Sequence, residues 1–145
     1  MLALVRALWI VLAVLLVAAE SRAGAELDPL DEPIRAKVQA LEVEPVRVDA
    51  RGELSLVLLE APDRTLPLEI RIDAATLELD ENRLDWSAVV DPLALAPRVR
   101  ARFRAPSEPG RHEVRARVSY YVCDEQWCRA KRAQVHWTVV VELAD

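Results

Sequence analysis

The chain has 145 residues, 52% of them hydrophobic, so it is long enough for one domain with a continuous core. Its formal net charge is −5, and acidic and basic residues alternate along the chain without a basic block, which argues against a nucleic-acid-binding protein. Two cysteines are too few for a fold built from disulfides, so this pair needs an explanation other than chain size.

The N-terminal segment, residues 1–25, has the pattern of a secretory signal peptide. Arg6 supplies a positive charge, residues 7–19 are apolar without interruption, and Ala23-Gly24-Ala25 places small residues before a cleavage position. The apolar run falls short of the roughly 20 residues that a membrane-spanning helix needs. The pattern predicts a periplasmic or secreted protein with no membrane attachment after cleavage, an uncleaved anchor being the alternative. It also predicts an oxidising environment for the cysteines.

Beyond the signal, residues 26–40 are acidic and proline-containing without a lasting period, and we interpret them as a leader or an edge segment. Residues 41–145 are dominated by alternation of apolar and polar residues, which indicates strands. Short strands at regular spacing, separated by turn signals, predict an all-β domain, an immunoglobulin-like antiparallel β-sandwich. The candidate strands are 43–48, 54–59, 68–72, 84–90, 99–103, 113–122 and 133–143, with a further short one at 76–79.

The last two candidate strands predict a hairpin whose register follows from side-chain alternation. If Cys123 lies opposite Cys128, the core-facing residues match: Val118 faces Ala133, Ala116 faces Val135 and Val114 faces Trp137. A slip of one residue would oppose apolar to polar residues. The same register places both cysteines on the outward, polar face. Directly opposed residues have Cα atoms about 4.5–5.5 Å apart, which is within reach of a disulfide. The sequence therefore predicts a cross-strand disulfide near the surface at the end of the hairpin.

Such a disulfide can be a structural staple or a redox centre. As a staple it closes a loop of about six residues, which the chain-entropy estimate rates at roughly 2 kcal/mol. A redox centre gains more from this placement, because exchange requires a thiolate to reach one of the sulfur atoms. Acidic and basic residues both flank the pair, so the charge balance does not identify the nucleophilic sulfur.

A family resemblance rests on Tyr120-Tyr121-Val122-Cys123, followed by Cys128 and a long strand that contains Trp137. These residues resemble the N-terminal periplasmic domain of DsbD-type thiol:disulfide interchange reductases, and they are similar to the β-domain at the end of some thioredoxin/NHL-repeat proteins. The resemblance covers about 25 residues. The four residues between the cysteines match the NHL-linked domain better, since five are expected in the reductases.

The resemblance implies an immunoglobulin-like fold in which Cys123 and Cys128 are the catalytic pair of a protein-disulfide reductase or oxidoreductase component. It implies no cofactor, and a thioredoxin-like periplasmic or membrane oxidoreductase as the partner. Tyr120 and Tyr121 would be supporting aromatic residues, Tyr121 on the cysteine face and Tyr120 on the core-facing side. Trp127, inside the loop, could shield the sulfur atoms, contact a partner or fold back on the sheet.

The main hypothesis is therefore dithiol/disulfide exchange through a mixed disulfide with a partner. The alternative is a non-catalytic, exported β-sandwich that binds a partner protein and carries a structural disulfide. A copper site formed by the cysteines with His112 and His136 is weaker, because each histidine lies more than roughly 20 Å along an extended strand from the nearest cysteine. The acidic residues between positions 80 and 91 lack the spacing of a calcium loop.

Overall fold

The computed structural model describes residues 34–145, so the predicted signal peptide and most of the predicted leader lie outside the described residues. The strands in this part of the chain are β1 (Ile34–Arg35), β2 (Val38–Ala40), β3 (Val46–Arg47), β4 (Arg51–Leu58), β5 (Glu69–Asp73), β6 (Glu78–Leu79), β7 (Arg83–Leu84), β8 (Arg98–Arg104), β9 (Gly110–Cys123) and β10 (Cys128–Glu142). From residue 34 onward, no helix is long and apolar enough to cross a membrane.

Two sheets pack face to face, which confirms the predicted immunoglobulin-like β-sandwich. Sheet A has the strand order β1-β10-β9-β5-β7, and β3 also pairs with β10. Sheet B has the order β2-β4-β8-β6. Inward-facing residues of both sheets form one core, which includes Leu54, Leu56, Leu58, Ile70, Ile72, Val99, Phe103, Val114, Val118, Trp137 and Val139. The buried Trp137 indole Nε1–H donates across the sandwich to the Ser55 carbonyl at 3.0 Å, so its polar atom is satisfied.

One edge of sheet A departs from the antiparallel prediction. Strands β1 and β3 both run parallel to β10, and the other paired strands are antiparallel. The chain enters at the edge of sheet A as β1, crosses to sheet B as β2 and returns as β3 to the same edge. β1 covers β10 at 131–132 and β3 covers it at 141–142, which protects both ends of an otherwise open edge.

The predicted strand 84–90 is wrong over most of its length. Only Arg83–Leu84 is a strand, and Trp86–Ala88 forms a 3-10 turn. The Asp85 side chain accepts a hydrogen bond from the Ser87 N–H at 2.8 Å, which is the local bonding that competes with sheet formation. Apolar residues at alternate positions were therefore insufficient to make a strand next to a capping aspartate.

The predicted register of the long hairpin is confirmed. Cys123 lies opposite Cys128, Val118 opposite Ala133, and Val114 opposite Trp137, within a ladder of fourteen opposed pairs. The core-facing residues of β9 are buried at every second position, whereas the intervening residues are mostly exposed. The alternation that predicted the hairpin is therefore the alternation that builds one wall of the core.

Gly52 is the position in β4 where the core leaves no room for a side chain. It lies directly opposite Phe103, and a Cβ at Gly52 would be 2.3 Å from the Cζ atom of that ring. Because Phe103 is fully buried, the ring has no free space into which to move. We expect Gly52→Ala to lower the free energy of unfolding by about 1–3 kcal/mol, measured by urea denaturation.

Ser55→Ala, on the outward face of the same strand, is the matched control, and we expect it to change the free energy of unfolding by no more than about 0.5 kcal/mol. Equal stability of Gly52→Ala and the parent protein would contradict the close packing of the Phe103 ring on β4.

Candidate functional site

Both cysteines of the chain are joined in one disulfide at the outer end of the hairpin. Cys123 is the last residue of β9 and Cys128 the first of β10, and their Cα atoms are 4.0 Å apart, somewhat closer than the spacing expected from the sequence. Cys128 is exposed and Cys123 is half-buried. The predicted cross-strand disulfide is thus confirmed, and one of its residues lies open to solvent.

The loop between the cysteines is organised by Asp124. Its Oδ1 atom accepts hydrogen bonds from the backbone N–H groups of Gln126 at 2.8 Å and Trp127 at 2.9 Å. Its own N–H donates to the Trp127 carbonyl at 3.0 Å. The two accepted bonds, with a smaller contribution from the Arg129 charge, lower the pKa of Asp124. The loop is therefore held by the disulfide at its base and by an Asx turn inside it.

Trp127 is held by Arg129 rather than by the core. The guanidinium carbon of Arg129 lies 3.4 Å from the centroid of the Trp127 ring, which is a close cation–π contact. The Trp127 side chain remains 42% exposed. Because Arg129 follows Cys128 directly, its side chain leaves β10 on the face opposite the disulfide. The ring is thus oriented and accessible, which is not the placement of a residue folded back into the sheet.

Tyr120 and Tyr121 have different environments, as expected from their adjacent positions on opposite faces of the strand. Tyr121 is exposed on the cysteine face, and its carbonyl accepts a hydrogen bond from the Asp63 N–H at 2.8 Å. Tyr120 is buried in the core, but its hydroxyl reaches a polar cluster that the sequence did not reveal. The structure therefore brings Tyr121 and Trp127 to the surface beside the disulfide and leaves Tyr120 as a packing and hydrogen-bonding residue.

That cluster is centred on Glu60, just beyond the end of β4. The Glu60 carboxylate accepts hydrogen bonds from the Tyr120 hydroxyl, from the Lys131 ammonium at 2.6 Å and from the Lys37 backbone N–H at 3.1 Å. The Lys131 and Glu60 side chains are only 13% and 15% exposed. The cluster therefore ties sheet B, the hairpin and the crossover between β1 and β2 together at one point.

Burial and hydrogen bonding act against each other on Glu60. Burial disfavours the carboxylate, but the hydrogen bonds from Lys131, Tyr120 and the Lys37 N–H outweigh it, so the pKa of Glu60 is lowered. Burial, then the hydrogen bond to Glu60 and its charge, raise the pKa of the Tyr120 hydroxyl, which stays a donor. The sequence signal that could have revealed the cluster is the position of Lys131 in the strand alternation. Lys131 falls on the core-facing side, where a lysine requires an anionic partner.

Three loops meet at the same end of the sandwich, which we call the disulfide end: residues 124–127, 59–68 and 89–97. The Leu58 N–H, at the end of β4, donates to the Pro97 carbonyl of loop 89–97 at 2.9 Å. The Asp63 N–H of loop 59–68 donates to the Tyr121 carbonyl of β9 at 2.8 Å. Among the described residues, six of the seven exposed large hydrophobic side chains lie at or beside these loops, and Leu143 lies at the opposite end. The six are Leu59, Val90, Leu93, Leu95, Tyr121 and Trp127.

The two histidines lie on the body of the hairpin, away from the disulfide. The His112 Nδ1 atom is 2.8 Å from the Thr76 hydroxyl, and His136 lies opposite Arg115. Over residues 34–145, no group of three His, Cys, Asp or Glu side chains is placed to hold a metal ion. The geometry therefore offers no set of copper ligands around Cys123 and Cys128.

The chain matches no protein-family model and no curated protein in sequence. Among solved structures it is similar to AggA, the major subunit of aggregative adherence fimbriae type I from Escherichia coli, at 7% sequence identity and a TM-score of 0.36. That similarity covers 75% of this chain and 98% of the AggA chain, and it is too distant to carry an argument about this chain. The fold and the site together define a disulfide-bonded, all-β domain of the immunoglobulin-like type.

The Glu60 cluster makes a pH-dependent contribution to stability. The pKa of Glu60 is lower in the folded protein than in the unfolded chain. The stabilisation is therefore fully present at pH values above the unfolded-state pKa of Glu60, and it is lost as the pH falls through the folded-state pKa. We expect Glu60→Gln to reduce the free energy of unfolding by about 1–3 kcal/mol at pH 7, since Lys131 then has no anionic partner. The difference from the parent protein should shrink as the pH is lowered towards 2.

Urea denaturation at a series of pH values measures both effects, and Glu125→Gln at the exposed hairpin tip is the control that removes one carboxylate without disturbing the cluster. A difference between Glu60→Gln and the parent protein that stays constant from pH 7 to pH 2 would show that the carboxylate charge is not what stabilises this end.

Proposed function

We propose that this chain is an exported, non-catalytic protein-binding domain, and that it binds its partner through the disulfide end. The observation that supports this proposal is the concentration of exposed apolar side chains there. Leu93 and Leu95 are 78% and 87% exposed, and Tyr121 and Trp127 are exposed on the hairpin at the same end of the sandwich. Apolar surface gathered in one region is typical of interaction sites, and Tyr and Trp are enriched in interfaces.

The disulfide has a structural role in this proposal. The hairpin register is already specified by the long ladder and its apolar face, so the bond between Cys123 and Cys128 is not needed to pair the strands. Its effect falls on the loop, where it acts with the Asp124 turn to hold Trp127 in one orientation. A contact surface that is ordered before binding loses less conformational entropy on association.

Export is the remaining part of the proposal. The predicted signal peptide at residues 1–25 and a stable disulfide both suit an oxidising compartment, where disulfides persist. A partner would then be a periplasmic or extracellular protein with an apolar surface that matches the disulfide end.

A second candidate function is thiol–disulfide exchange, which the exposure of Cys128 and the resemblance to DsbD-type domains favour. A thiolate of a partner dithiol would attack one sulfur, forming a mixed disulfide and releasing the other cysteine of the pair as a thiolate. The second partner thiol would then displace the remaining cysteine, so that the partner leaves oxidised and Cys123 and Cys128 are both reduced. Tyr121 and Trp127 would contact the partner, a thioredoxin-like oxidoreductase.

Site-specific photo-crosslinking tests the binding end. We expect a benzophenone amino acid at Leu93 or Trp127 to form a discrete adduct with one protein in the exported fraction of the producing cell. The same group at Leu143, exposed at the opposite end, should not form it. Adducts of equal yield from Leu93 and Leu143 would rule out the disulfide end as the specific surface.

Cysteine variants separate the two candidate functions. For a binding domain, Cys123→Ser/Cys128→Ser should keep the crosslinked adduct and lose only about 2 kcal/mol of stability. For an exchange protein, a single variant, Cys128→Ser or Cys123→Ser, should accumulate a mixed disulfide with the partner. A reduction potential well above about −300 mV would favour exchange and count against a purely structural bond.

A further inference from the structure

Arginines concentrate on the outward face of sheet A, although the chain as a whole is acidic. Arg83 on β7 lies directly opposite Arg71 on β5, and Arg71 lies directly opposite Arg117 on β9. Arg115, two residues before Arg117, lies opposite Asp73. We call Arg83, Arg71 and Arg117 the arginine row, since they occupy one line across three adjacent strands. With strands about 4.8 Å apart, the row spans roughly 10 Å.

A row of this kind is electrostatically unfavourable without an anion, because like charges at directly opposed positions destabilise a sheet. Glu69 offsets part of the repulsion: it pairs with Arg71 and lies 3.5 Å from the Arg83 Nε atom. Within the described residues, neither Arg115 nor Arg117 has a carboxylate oxygen within 4.0 Å. The protein thus supplies fewer negative charges here than the guanidinium groups can accept.

The same arginines line an open depression of about 520 Å³ on the surface of sheet A. The polar side chains that line it are Arg71, Asp73, Asn82, Arg83, Arg115, Arg117 and Gln134. The depression and its border therefore contain four guanidinium groups and only two carboxylates, those of Asp73 and Glu69. The amides of Asn82 and Gln134 add hydrogen-bond donors at either side.

Sheet B shows that arginine-rich strands need not form such a site. The outward residues of β8 are also arginines, but Arg100 pairs with Glu53 at 3.2 Å, and Arg102 lies opposite Glu53 across the ladder. Arg51 on the neighbouring strand lies opposite Arg104, but Arg51 pairs with Asp80 at 3.6 Å, and Arg104 lies opposite Glu78 on its other side. Acidic side chains are therefore interleaved with the sheet B arginines, whereas three of the sheet A arginines oppose one another.

We infer that the arginine row is a binding site for a multivalent oxyanion, a ligand that carries two or more phosphate or carboxylate groups. A guanidinium fork binds both groups in a bidentate manner, and several forks in a line suit anionic groups spaced along one ligand. The site is on the side of sheet A, so it is independent of the binding proposed for the disulfide end.

Isothermal titration calorimetry of the exported domain with tripolyphosphate and with citrate, at low ionic strength, tests the inference. We expect Arg71→Gln/Arg117→Gln to weaken tripolyphosphate binding by about tenfold or more. Arg98→Gln/Arg102→Gln on sheet B removes the same charge and should weaken it by less than about threefold. Circular dichroism checks folding, and Arg83→Gln on the edge strand is the second variant if the double variant unfolds.

Glu69→Gln provides a change in the opposite direction. It removes the internal anion that competes for the row, so we expect it to tighten tripolyphosphate binding by about threefold or more. Tighter binding of tripolyphosphate than of citrate would assign phosphate as the ligand group, and the reverse would assign carboxylate. The inference is overturned if the parent domain binds neither, or if the sheet A and sheet B double variants weaken binding equally.

Discussion

The rest of the structure depends on the register of the hairpin formed by β9 and β10. The fourteen opposed pairs place Val114 and Trp137 in the core and Cys123 beside Cys128 at the tip. They also place Lys131 opposite Tyr120, which is the arrangement that requires Glu60. A shift of one residue would turn every side chain to the other face of the sheet, so core, disulfide and polar cluster would be lost together.

The disulfide end combines an accessible surface with a rigid base. Its loops present leucines and aromatic side chains to solvent, yet they are anchored by backbone hydrogen bonds and by the Glu60 carboxylate. Because Glu60, just beyond the end of β4 in sheet B, binds Tyr120 and Lys131 of sheet A and the crossover at Lys37, the end cannot open without breaking several bonds at once. Both candidate functions require such an exposed surface on a fixed base. Binding and thiol exchange each begin when a partner docks on a defined surface.

The sequence predicted those features that depend on neighbouring residues in the chain. The regular spacing of short alternating strands was sufficient for the sandwich, and the alternation around Tyr120 and Trp137 was sufficient for the hairpin register and the cross-strand disulfide. It failed at 84–90, because Asp85 caps a turn that has the same apolar spacing as a strand. The role of Glu60 could not be predicted from the sequence, since its partners are brought to it only by the packing of the two sheets. The arginine row likewise depends on the order β7-β5-β9, and no local pattern specifies which strands become neighbours.

The parallel pairing of β1 and β3 with β10 has a consequence for a domain held under tension. If the chain is pulled at both ends, β1 is drawn toward its own start while β10 is drawn toward Asp145, so the two strands slide past each other lengthwise. The hydrogen bonds between β1 and β10 are then loaded together along the strand direction instead of opening one after another. The edge that closes sheet A is therefore also the part of the molecule best placed to resist mechanical extension.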